Sequence, residues 1–122
     1  MSTAYETLGE KRLASLVERL VQAFAADFVI GFLFEGKDLD RVARHELELA
    51  RAHLGGPAAY GGRPIGAVHG PLRINRGHFR RRLAIVRHVL TEEGVPGHII
   101  DDWLAHDARL ESVVTTGEDC VD

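Results

Sequence analysis

Apolar side chains recur at helical spacing through much of this chain. Leu13, Leu16, Val17, Leu20 and Phe24 form one stripe, with Lys11, Glu18 and Arg19 outside it. That spacing predicts a helix over about residues 11–26. Residues 28–34, Phe-Val-Ile-Gly-Phe-Leu-Phe, are apolar without a readable period. A buried strand there would have no partner strand elsewhere, so the expected form is a short irregular helix and corner that pushes its aromatics into the core. Asp38 suits the N-cap of a second helix, with Asp40 in its first turn. Leu39, Val42, Leu49 and Ala50 mark the inner face of that helix, and Gly55-Gly56-Pro57 ends it. His45 and Glu46 interrupt this face where apolar residues would be expected.

Residues 60–74 are rich in glycine and proline, so a loop with at most a short helical turn is expected. His69 sits in this segment between small and apolar neighbours. Asn75 can cap a third helix that buries Phe79, Leu83, Val86 and Leu90 and stops at Gly94. Pro96 suits the first turn of a fourth, carrying Ile99, Ile100, Trp103, Leu104 and Leu110. From Thr115 the sequence turns polar and frayed ends are expected. Four main helices around one Gly/Pro-rich segment predict an all-α fold, with a domain over residues 1–114 and a polar tail over 115–122.

Composition narrows the function classes. At 122 residues the chain fits one domain with a real core. The balance of 45% hydrophobic and 27% charged residues is that of an ordinary soluble protein. A net charge of −3 gives no global field to recruit nucleic acid or an anionic membrane, and neither is an expected partner. The single cysteine, Cys120, excludes an intrachain disulfide. No apolar run is long enough to span a bilayer, and the first residues lack the pattern of a signal peptide. A cytoplasmic location is the expectation.

Histidines are the candidate chemistry. Neutral imidazole binds iron, zinc or copper, and His69 and His45 could face a flat cofactor from opposite sides. His98, Asp102 and His106 share a helix face, but eight residues rise about 12 Å, which favours a solvated polar face over a single-ion site. His53, His78 and His88 read as surface or helix-end residues. Arg76, Arg80, Arg81, Arg82 and Arg87 spread around the third helix and read mainly as a solvated face, with one or two available to an anionic cofactor group. No Ser/His/Asp signature, phosphate-binding glycine loop or CxxC is present, and no catalytic residue is assigned.

Residues 54–63, Leu-Gly-Gly-Pro-Ala-Ala-Tyr-Gly-Gly-Arg, followed by Ala67-Val68-His69, His78-Phe79 and Gly94-Val95-Pro96, form an ordered series. On that series the chain resembles the truncated haemoglobins, and within them the group I, cyanobacterial-type branch. The resemblance implies a two-over-two helical sandwich around haem b, with His69 as proximal iron ligand. It places Phe34, Val42, His45, Glu46, Ile65, Ile74 and Phe79 around the cofactor. Phe34 matches the phenylalanine that packs on the haem, and Val42 takes the distal gate position. Val21 and Glu46 occupy the positions of the family's usual distal tyrosine and glutamine. Valine cannot donate a hydrogen bond and an ionised glutamate only accepts, so firm oxygen retention is not expected. His45 falls where some relatives carry a second iron-binding histidine, which implies six-coordinate iron. Leu110 matches the position of a covalent haem attachment in some relatives, so no such bond is expected.

The expected function is binding of diatomic gases (O2, NO and CO), with nitric-oxide dioxygenation or electron transfer served by a reductase or other electron donor, in a monomer. The competing expectation is a haem-free, globin-like interaction or signalling module.

Overall fold

The computed structural model describes residues 2–56 and 75–110. Its elements are helical: α1 (Ala4–Leu8), α2 (Glu10–Ala26), a 3-10 turn (Gly31–Phe34), α3 (Leu39–His53), α4 (Arg76–Glu92) and α5 (Gly97–Ala108). The all-α expectation holds, and α1 is an addition to it. A capping box starts α1: the Thr3 hydroxyl accepts from the Glu6 N–H, and the Glu6 carboxylate accepts from the Thr3 N–H.

The anticipated stripe of α2 is its buried face, where Leu13, Leu16, Val17, Leu20, Val21 and Phe24 are enclosed. This face packs on α3 and α4, α4 packs on α5, and α3 touches α5 lightly. The result is two helix pairs laid on one another. Leu90, Val86, Ile99 and Trp103 complete the core from the α4/α5 side.

Residues 28–34 depart in part from expectation. Phe34 is half-buried and stacks on Phe24, with ring centroids 6.0 Å apart. Phe28 and Phe32 instead face solvent, at 91% and 51% exposure. The reason is local. Asp27 accepts from the backbone N–H groups of Val29 and Ile30, and the Gly31 N–H bonds to the Asp27 carbonyl at 2.7 Å. The chain therefore coils back tightly against the end of α2. A Cβ at Gly31 would lie 2.7 Å from the Ala25 carbonyl oxygen, so only glycine allows this approach.

Asp38 caps α3 as anticipated, accepting from the N–H groups of Asp40 and Arg41. Beyond Leu54, Gly55 takes φ +85°, the left-handed conformation that commonly closes a helix. Asn75 caps α4 by accepting from the His78 N–H at 2.8 Å. The anticipated third and fourth helices are thus α4 and α5.

Candidate functional site

The helical period sets Val42, His45, Glu46 and Leu49 of α3 on one face. Phe79, Arg82, Leu83 and Val86 share a face of α4 in the same way. These two faces confront one another, because Glu46 and Arg82 are directly bonded. Arg82 Nη1 donates to Glu46 Oε1 and Nη2 to Glu46 Oε2, both at 2.9 Å. Nonetheless α3 meets α4 with at most slight backbone contact, although both pack on α2. The two helices are held apart, with a long side chain bridging them.

The same guanidinium reaches α5. Asp107 Oδ2 accepts from Nη2 at 3.2 Å and from Nε at 3.3 Å. Beneath it lies the Phe24 ring, 4.8 Å from Cζ to the ring centroid, a cation–π contact. Four helices therefore converge on Arg82. Burial alone would lower its pKa, but the two carboxylates, Glu46 first, reverse this and hold it above its ordinary value. Asp107 is 1% exposed. Burial above all pushes its carboxyl pKa up, with Arg82 opposing and the Glu46 carboxylate adding to the rise.

A pair of imidazoles borders this cluster. His53, the last residue of α3, stacks on His106 of α5 with centroids 5.1 Å apart and planes 20° from parallel. Desolvation lowers the His53 pKa, opposed by the nearby Asp107 carboxylate. His106 also approaches Asp102 at 3.6 Å. His98 is exposed, and among the described residues no group of three or more His, Cys, Asp or Glu side chains is placed to hold a metal ion.

Several expectations are corrected by this geometry. Arg82 is not part of a solvated face but the centre of a partly buried ionic cluster, and Arg81 pairs with Asp27 at 2.6 Å. His53 ends its helix as expected, yet it is half-buried against His106. His78 is half-buried too: its Nδ1 accepts from the Asn75 N–H at 3.3 Å and its ring meets Phe32 edge-on. Glu46, expected beside the cofactor, is paired with the Arg82 guanidinium. Asp107 was not anticipated at all. Its signal was its place four residues after Trp103, on the apolar side of α5.

Of the residues expected around the cofactor, Val42, His45 and Glu46 lie on α3, Phe79 lies on α4, and Phe34 lies in the 3-10 turn. Phe34, Val42 and His45 are half-buried. Phe79 is buried but stands outside the main core cluster of the described residues. Ile65, His69 and Ile74 lie outside the described residues. The described side chains fit a haem: half-buried Val42 and Leu83 on separated helices offer apolar walls, and His45 offers a nitrogen donor of the type iron accepts.

Similarity to known proteins defines the class. The bacterial-like globin family profile matches residues 3–115, and the chain belongs to that family. It shares 31% identity over 110 residues with the group 1 truncated hemoglobin GlbN of Mycolicibacterium paratuberculosis, an overlap of 90% of this chain and 81% of the relative. The corresponding protein of Nostoc sp. is 29% identical over 106 residues, covering 86% of this chain and 87% of the relative. The fold also superposes on the crystal structure of truncated hemoglobin from Tetrahymena pyriformis in its Fe(III) form. That match has a TM-score of 0.87 at 23% identity and covers 96% of this chain and all of the other. Within the globins, then, this is a member of the haem-binding truncated haemoglobins, with group 1 relatives.

Proposed function

We propose that the chain binds haem b between α3 and the glycine-rich segment that follows it, and that the iron is six-coordinate, with His69 as proximal and His45 as distal ligand. Phe34, Val42, Ile65, Ile74 and Phe79 supply the apolar contacts. The haem supplies an iron centre that takes diatomic gases and exchanges electrons. His45 must leave before a gas such as O2, NO or CO can enter, so ligand binding is linked to movement of this imidazole.

The observation that carries this reading is the engagement of Glu46. Both of its carboxylate oxygens accept from Arg82, and an ionised carboxylate donates nothing. Val21 is enclosed in the core and donates nothing either. The two positions that hold the family's oxygen-stabilising tyrosine and glutamine therefore provide no donor. Such a site suits electron transfer or nitric-oxide dioxygenation, with an electron donor, better than oxygen storage. A monomer in the cytoplasm is consistent with this role. Among the described residues no helix is long and apolar enough to cross a membrane.

Absorption spectra of the haem-loaded protein test the coordination. Low-spin bands are expected in both oxidation states, converted towards high spin by His45→Ala. A low-spin spectrum unchanged in that variant removes His45 as the ligand. A purified protein that gains no Soret band on haem addition would instead favour a haem-free, globin-like interaction module.

A further inference from the structure

We propose that Arg82 is a positioning residue for His45, acting as a strut that fixes α3 relative to α4 and α5. The inference rests on the reading of His45 as an iron ligand and goes beyond it, because it names what determines how readily His45 lets go.

The argument begins with packing. α3 is supported chiefly by α2, only lightly by α5, and at most slightly by α4. Its far end is tied down by Arg51, whose Nε and Nη2 donate to the two carboxylate oxygens of Glu10 at 2.7 and 2.8 Å. Its first residues, Leu39 to Arg41, are exposed. Between these ends Glu46–Arg82 ties α3 directly to α4, one residue along from His45.

That tie is built to be rigid. A bidentate guanidinium–carboxylate pair fixes orientation as well as distance, which a single contact does not. The guanidinium is also held along its adjoining Nε/Nη2 edge by Asp107 and from below by Phe24, so it does not swing with Glu46. Its side chain is 16% exposed, and Glu46 19%, which limits the screening that weakens surface pairs. A half-buried imidazole next to such an anchor has little freedom to follow α3 away from the iron. Breaking the strut frees the middle of α3 and lets His45 exchange faster.

Arg82→Lys and Arg82→Met in the haem-loaded protein test this, with His45→Ala beside them. The readout is the rate of CO binding to the ferrous protein at saturating CO, where release of His45 limits the reaction. Arg82→Met is expected to raise that rate roughly tenfold, the scale of a typical coupling between sites. Arg82→Lys, which keeps the charge but not the two-point hold, is expected to fall between it and the wild type. Hydrogen exchange should rise across the middle of α3 while α2 keeps its protection.

Arg82→Met leaves the buried Asp107 and the partly buried Glu46 without their shared counter-charge. Should it fail to fold, Arg82→Lys and Glu46→Gln carry the test. An unchanged limiting rate in folded Arg82 and Glu46 variants, with only the melting temperature lowered, would make Arg82 merely structural and overturn the proposal. If His45→Ala converts the spectrum but the strut variants do nothing, the strut alone fails. If His45→Ala changes nothing, there is no ligand for Arg82 to position, and both readings fall.

Discussion

Asp27 shows how one side chain can fasten two parts of this molecule. Its carboxylate, 7% exposed, accepts from Arg81 of α4 and also from the backbone N–H groups of Val29 and Ile30. Arg81 above all holds its pKa below the usual carboxylate value. The folded state therefore favours the ionised form. The resulting stability is fully present above the unfolded pKa of about 4 and is lost as pH falls through the lower folded value. Arg81→Gln should shift the acid-unfolding midpoint to higher pH; an unchanged acid-unfolding curve would show that the pair contributes nothing. Charged residues were also the least legible part of the sequence. Arg82 stands three residues after Phe79 and four before Val86, and Asp107 four after Trp103, so both occupy core positions by the helical period. A basic side chain among four other arginines on one helix reads as solvent-facing, and its acidic partners lie on other helices. Only the fold brings the three together.

Helices, by contrast, announce themselves through caps and stripes. The start of α4 was legible because Asn75 offers a side-chain acceptor just ahead of an apolar period, and the structure adds the reciprocal bond to His78 Nδ1. Asn75→Ala should cost about 1 kcal/mol, and Asn75→Gly only a few tenths. Thermal or denaturant unfolding would measure this, and equal stability of Asn75→Ala and wild type would contradict it. The corner between α2 and α3 was legible only in outline. Apolar residues in a tight turn give no period, and whether Phe28 or Phe34 turns inward depends on backbone bonds to Asp27 that no pattern of hydrophobicity encodes. Short α1 is illegible for a related reason: five residues are too few for a stripe.

At the scale of the whole molecule, α2 is the floor on which α3 and α4 rest, and the Glu46–Arg82 pair spans from one to the other. The hydrophobic period predicted the order of the main helices seen among the described residues, and the ordered glycine-rich series pointed to the family. The charged strut between α3 and α4 came only with the structure. His69 lies outside the described residues, so its role rests on family membership and on the match of its surrounding motif. The most direct measurement is therefore a titration of the purified protein with ferric haem, followed at the Soret band, for wild type and His69→Ala. The account predicts a stoichiometric complex for the wild type and an affinity at least about tenfold weaker without that imidazole. Equal affinity for the two proteins would contradict it.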